Sequence, residues 1–367
     1  DLFSYNSKTR FVGLFRTSNP VSASPYYNSF HNLDMYFEYL GWDMNGSKVI
    51  LSRPRGSSLG QAVFESVSFF NSNYFLKLLG IDQYHPLNRL KQFSEFYYSE
   101  TFPVSEFAKW LNKPEELVTG LCIDMANQGF LFYDRTNHEV TIKGKVNDFL
   151  EAFAGKKDYD ILSILSETEA PVDNAILDLS DFNLTVNGVR NVFLSDSQRV
   201  AFFPYNRQLT IGKNRKMKFD GVVVAGLFTV FGHDFEFDYD TFKINMNSID
   251  SMLIAVETGE KDELGNPRSI DIGNSIQMGS AELYIDEPDN KSGLKSLDNY
   301  PIISTTENSY IFFDELPGLN DIYARDDFFF RVDSFSYENI DHFTPEDLSL
   351  SGVLHGGSII EPTRIEV

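Results

Sequence analysis

Three groups of residues have types and spacing that could perform chemistry. Gly56-Ser57-Ser58-Leu59-Gly60 has the G-x-S-x-G spacing of a hydrolase nucleophile elbow, in which a strand-to-helix turn presents a serine hydroxyl to a neighbouring base. Ser58 is the candidate nucleophile. Ser52-Arg53-Pro54-Arg55 separates the motif from the preceding apolar run, and the chain lacks the alternating β-α units that build a hydrolase sheet. The competing role for Ser57 or Ser58 is therefore to cap a helix. The six histidines, His31, His85, His138, His233, His342 and His355, include no pair at metal-ligand spacing with another His or with Cys122, which argues against zinc. His233, beside Asp234, is the best-placed general base, against an ordinary exposed turn between strands.

The third group is the carboxylates. Residues 230–350 hold 7 Lys and Arg against 26 Asp and Glu, so this stretch carries −19 of the chain's −22. Oxygen-rich loops suit calcium, which is the one cofactor the pattern raises. Asp286-Glu287-Pro288-Asp289-Asn290 is the sharpest example, with Asp286, Asp289 and Asn290 as candidate ligands. It lacks the Asp-x-Asp-x-Asp-Gly order and closing Glu of an EF-hand. Glu236, Asp238 and Asp240 alternate with Phe235, Phe237 and Tyr239, the pattern of a solvated strand face. No signal fixes two carboxylates at a glycosidase separation.

The elements that must position these residues are mostly strands. Of 367 residues, 34 are Phe and 18 are Tyr, both strand-favouring. Three regions are expected: a β-rich segment over 1–56, a helical region over 57–170, and an acidic β-rich domain over 171–367. In the first, Phe11–Phe15, Leu33–Leu40 and Lys48–Leu51 read as strands, with Asn45-Gly46 turning a hairpin. Ala62, Val63, Val67, Phe70, Tyr74 and Leu78 recur at helical steps, predicting a helix over 57–80. Tyr159–Leu165 reads as helix too. Beyond Pro171 the pattern is strand throughout; Ile176–Val186 alternates, and Lys218–Phe228 is apolar enough for burial on both faces. The fold class is α+β, with mainly antiparallel β domains flanking a small helical module.

That module occupies 85–150. Leu87, Leu90, Phe93 and Tyr97 mark one helix, Pro103–Leu111 a second, and Pro114–Gln128 a third. Leu131-Phe132-Tyr133 and Val140-Thr141-Ile142 then frame a turn. Three helices followed by a two-stranded wing resembles a winged-helix domain, many of which read DNA. The third helix contains Glu115, Glu116 and Asp124 and no Lys or Arg, and 85–150 holds 7 basic and 9 acidic residues. A recognition helix offers Arg, Lys, Asn or Gln to base edges and cations to phosphates. The module is therefore expected to contact protein rather than nucleic acid. The overall charge of −22 points the same way, and it disfavours anionic lipid. No apolar run approaches the roughly 20 residues that span a bilayer. Cys122, on the apolar side of the third helix, reads as a structural thiol.

The runs KFDGVVVAGLFTVFGHDFEFDYDTFKINMNSIDSM, DEPDNKSGLKSLDNYPII and RDDFFFRVDSF, with FESVSFF and LLGIDQYHPL upstream, resemble an uncharacterised family of very large secreted or envelope proteins of Bacteroidota-type bacteria. The resemblance implies an exported location, periplasmic or on the cell surface, and a long multi-domain parent; it transfers no catalytic or binding residue. The start at Asp1, without signal-peptide features, fits an excised or mature portion. The leading expectation is a non-enzymatic structural or protein-interaction segment, whose partners are other proteins or other parts of the same large protein. A carbohydrate- or calcium-binding β module of a surface protein and a hydrolase using Ser58 are the alternatives.

Overall fold

A computed structural model describes all residues except 1, 17–23, 53–58, 80–83, 262–264, 266, 273–274, 314–324, 326 and 358. The chain divides into two compact units, Asp1–Gly188 and Val189–Val367.

The first unit opens with seven strands: β1 (Leu2–Asn6), β2 (Phe11–Phe15), β3 (Tyr26–Asn28), β4 (Leu33–Tyr36), β5 (Tyr39–Asp43), β6 (Lys48–Ser52) and β7 (Leu59–Ser66). A helical insert follows: α1 (Ser72–Leu79), α2 (Pro86–Tyr97), β8 (Thr101–Pro103), α3 (Val104–Leu111), α4 (Glu115–Asn127), β9 (Leu131–Asp134), β10 (Glu139–Ile142) and α5 (Lys145–Phe153). The chain then returns through β11 (Ser163–Glu169), β12 (Ala175–Asp178) and β13 (Leu184–Asn187). One antiparallel sheet runs β1-β2-β5-β6-β12-β13. A second runs β3-β4-β7-β11. Asn174 Nδ2 donates to Gly60 O (3.1 Å) and Ser166 Oγ to Asn187 O (2.5 Å), so buried polar groups tie the two sheets together.

Three expectations change here. Residues 59–66 form a strand, not the start of a helix: Ala62, Phe64 and Ser66 are buried in alternation, and both edges of β7 are paired, with β4 and with β11. Tyr159–Leu165 leads into β11 for the same reason. Pairing of β12 with β6 in exact sequence register (Ala175↔Leu51 through Asp178↔Lys48) keeps 175–187 with the first unit, so the division falls at Gly188 rather than Pro171. Gly188 sits at φ +70° with its Cα so close to Glu167 O that a Cβ would lie 2.2 Å from it, a place only glycine fills.

The insert hangs on a short stem. Ser66 N–H donates to Leu162 O and Phe70 N–H to Asp160 O, both at 2.9 Å. Asp160, 1% exposed, accepts from Ser66 Oγ (2.6 Å) and Leu162 N (2.9 Å). Within the insert the three helices and two strands expected over 85–150 are present, together with β8, which completes an antiparallel sheet in the order β8-β10-β9. Its core is aromatic: Phe93, Phe102, Phe107, Phe130 and Phe149 are all buried. Phe93 meets Phe102 edge-on at 4.7 Å and Phe107 at 5.1 Å, geometries that favour aromatic pairs.

The second unit is antiparallel β: β14 (Val192–Ser195), β15 (Val200–Pro204), β16 (Gln208–Ile211), β17 (Met217–Ala225), β18 (Phe228–Asp238), β19 (Lys243–Lys261), β20 (Pro267–Asp271), β21 (Ile276–Met278), β22 (Ala281–Tyr284), β23 (Ile302–Thr305), β24 (Ser309–Phe312), β25 (Phe328–Val332), β26 (Ser336–Tyr337), β27 (Ser351–Gly356) and β28 (Ile360–Glu366). The long β17, β18 and β19 form the spine. β19 is long enough to pair in turn with β22, β21 and β20 along its length. Register shifts at Phe219/Gly221 and Phe231/Gly232 bend the spine, as bulges do. β17 alternates, with Val223 and Ala225 buried and Val222 and Val224 half-buried, so it has one covered face rather than two.

Candidate functional site

The two sequence motifs meet different fates. Ser57 and Ser58 lie outside the described residues. Gly60 lies within β7, so the segment after the motif is a strand, whereas a nucleophile elbow runs into a helix. The 286–290 loop is described in full. Asp286 and Asn290 are buried, at 2% and 0% exposure. Asp286 Oδ2 accepts from Gln198 Nε2 (2.8 Å), and Oδ1 accepts from Asn290 Nδ2 (2.9 Å) and Glu287 N (2.7 Å). Asn290 in turn donates to Lys295 O (2.9 Å) and accepts from Lys295 N (2.8 Å). Asp289 points away and pairs with Lys295 Nζ at 2.8 Å, which holds its carboxyl below the usual range. The loop is thus internally hydrogen-bonded, with amide groups directed at the Asp286 carboxylate. Among the described residues, no group of three or more His, Cys, Asp or Glu is arranged to hold a metal ion.

His233 lies at the bulge in β18. Its Nε2 is 3.4 Å from Asp250 and its Nδ1 3.7 Å from Asp220, with the side chain 53% exposed. It is a solvated imidazole between two solvated carboxylates. His85 is structural: its Nε2 lies 2.9 Å from Phe75 O, its Nδ1 accepts from Leu87 N, and its ring stacks on Phe75 at 3.8 Å. Burial lowers its pKa, keeping the ring neutral as cap and spacer between α1 and α2.

The residues that composition and spacing did not single out lie on the insert. Tyr84, Arg89, Phe96 and Trp110 form one strip. α2 carries Arg89 and Phe96 two turns apart on one face, and α3 brings Trp110 beside them. The Arg89 guanidinium lies 3.8 Å from the Tyr84 ring centroid and 5.5 Å from that of Trp110. Trp110 also lies 5.5 Å from Phe93 in the core and 6.5 Å from Phe96. Tyr84 is 60% and Phe96 64% exposed. Just past Phe96, Tyr98 ends α2 in the left-handed conformation (φ 57°) and is 96% exposed. Beside the strip lies a groove of about 330 Å³ walled by Leu78, Pro86, Phe107, Leu111 and Leu121, with Arg89 and Lys113 also lining it and, among the described residues, no carboxylate. In a chain of charge −22, this apolar, cation-edged surface stands out.

Chemically the strip can bury aromatic area and place a guanidinium in a desolvated setting, the residue set enriched where proteins bind one another. By contrast, α4 presents Glu115 and Glu116 in its first turn and exposes Leu117. No helix among the described residues is long and apolar enough to cross a membrane. Comparison with family models, with characterised proteins and with solved structures finds no match to this chain.

Proposed function

We propose that this chain is a non-enzymatic interaction segment of a larger exported protein. Its β-rich units serve as scaffold, and its insert, winged-helix-like in layout, is the contact element. The observation that carries the reading is the Tyr84–Arg89–Trp110–Phe96 strip: a guanidinium held between two aromatic rings, continuous with the insert's core through Phe93. A rigid, partly exposed aromatic and Arg cluster loses little conformational entropy on binding. The partner is another protein or another part of the same large protein.

Nucleic acid is disfavoured by charge. The helix that would enter a groove carries Glu115, Glu116 and Asp124 and no cation. Export rests on the family resemblance of the sequence. The test is affinity capture with the full chain and its Tyr84→Ala and Arg89→Ala variants. A discrete partner retained by the wild type and lost by both variants supports the reading. Equal capture by all three removes it, and salt-sensitive binding of duplex DNA by the full chain removes the protein-contact role of the insert.

A further inference from the structure

The first unit's larger sheet ends on an open edge that is independent of the aromatic strip. Among the described residues β1 is paired with β2 alone, so its other side presents backbone N–H and C=O groups with no ladder partner. Proteins guard such edges with charges and proline. β20 and β28, two exposed strands that also have a single partner, follow that rule. β20 carries Pro267, Arg268 and Asp271, and β28 carries Glu361, Pro362, Arg364 and Glu366. β1 is Leu2-Phe3-Ser4-Tyr5-Asn6, exposed throughout, with neither charge nor proline.

The same edge cuts off an apolar face. In register across β6, β5, β2 and β1, one row runs Leu51, Leu40, Leu14, Phe3 and the next Val49, Trp42, Val12, Tyr5. Leu51 and Val49 are buried, the two middle members of each row are half-buried, and Phe3 and Tyr5 are 63% and 50% exposed. The face that forms core on the inner strands therefore runs outward and ends on two uncovered aromatic rings. Apolar area joined to a free backbone edge fits one kind of occupant: another strand, with apolar side chains on the same face.

β1 itself meets that description. Antiparallel to a second copy and centred on Ser4, it sets Ser4 opposite the partner's Ser4, Phe3 opposite the partner's Tyr5, and Leu2 opposite the partner's Asn6. Directly opposite residues share a face, so the four rings of two copies fall side by side, where aromatic cross-strand pairs are favourable. The paired strands exchange about four to six backbone hydrogen bonds. Charge permits the approach. The chain carries −22, yet residues 2–16 hold Lys8, Arg10 and Arg16 and no Asp or Glu, and charges more than about 10 Å away are largely screened at ordinary salt. We propose that β1 pairs with β1 of a second copy, joining two chains into one continuous sheet about a twofold axis at Ser4. The assembly closes at two, because an isologous contact uses up the edge.

Sedimentation equilibrium of the full chain tests this. A contact this small falls below the roughly 1,200 Å² of standard interfaces, so a monomer–dimer equilibrium with a dissociation constant on the order of tens of micromolar is expected. Phe3→Lys and Tyr5→Lys each place a charge on the edge, and each change enters the dimer twice. Either should weaken dimerisation by about tenfold or more and leave Tm unchanged, since both side chains are exposed. Ser4→Cys should form a disulfide-linked dimer with oxidised glutathione, because facing Cα atoms lie about 4.5–5.5 Å apart in such a pair, within disulfide reach. Lys8→Cys should not, since at about 3.4 Å per residue it lies about 27 Å from its own copy. Cys122 is buried and does not compete. Adding Phe3→Lys to Ser4→Cys should remove the disulfide. A chain that stays monomeric to about 300 μM, growth beyond dimers, Lys variants that both associate as the wild type does, or Lys8→Cys crosslinking as readily as Ser4→Cys would overturn the proposal.

Discussion

Lys145 meets two carboxylates in a buried junction between the insert and the strands that carry it, and removing it should be costly in a pH-dependent way. Its Nζ lies 2.9 Å from Glu65 Oε1 on β7 and 3.6 Å from Asp34 Oδ2 on β4, with the three side chains 11%, 16% and 15% exposed. The Phe130 and Phe149 rings lie 5.6 Å away on its other side. Lys145→Met leaves two carboxylates facing apolar rings without a counter-charge. Breaking a buried pair this way costs roughly 3–5 kcal/mol, and the residual exposure favours about 3. For a unit of this size that lowers the melting temperature by about 6–12 °C. The sign with pH follows from Glu65. Burial pushes its carboxyl up, and Lys145 pulls it partly back. Folding therefore raises its proton affinity, and its contribution falls as pH rises through the unfolded-state pKa toward the folded one. Without Lys145 the folded value climbs further, so the variant's deficit is largest at neutral pH and closes as pH falls into the carboxylate range. Denaturant unfolding at several pH values, with Glu65→Gln and the double variant completing a cycle, measures it. A deficit below about 0.5 kcal/mol, or one that does not change with pH, would mean that Lys145 does not neutralise this junction.

Phe93→Ala removes the ring at the centre of the insert's aromatic core, 1% exposed, and should cost about 3–5 kcal/mol by chemical denaturation. Cys122 is fully buried, and burial pushes its thiol to about 12; iodoacetamide should leave it unmodified in the native protein and label it fully in denaturant, as mass spectrometry will show. The Asp178 carboxyl, hydrogen-bonded by the Ser180 hydroxyl and then by its backbone N–H, is pulled to about 2. Because its folded value is depressed, its stabilising contribution is present above the unfolded-state pKa and disappears as pH falls through about 2; Ser180→Ala should move its NMR titration upward.

The parts of the fold legible in sequence are those set by local pattern. The amphipathic helices of 86–127, the 131–142 hairpin and the Asn45-Gly46 turn follow from spacing within a few residues. What escaped depends on distant pairing. Ala62, Val63, Val67 and Phe70 fit a helical period, yet Glu65 pairs with Ser163, and that long-range ladder decides the conformation. The continuous apolar look of Val222–Val224 hides an alternating strand, because half-buried valines are as common as buried ones on a sheet covered on one side. The candidate sites failed to show for the same reason. Asp286 and Asn290 gave an acidic signal, but their partner Gln198 lies far away in the chain. Tyr84, Arg89, Phe96 and Trp110 have ordinary identities for amphipathic helices. Only the packing of α3 on α2 makes them a cluster.

The insert's aromatic strip is the proposed meeting point of this protein with its partner. Photocrosslinking tests it most directly, with a photoreactive phenylalanine placed in turn at Tyr84, at Phe96 and, as a control, at Phe193, which is 53% exposed in the acidic unit. One and the same crosslinked protein is expected from Tyr84 and Phe96 in an extract of the native cells, lost when Arg89→Ala is added and absent from Phe193. Crosslinks that come equally from Phe193, or that survive Arg89→Ala unchanged, would contradict it.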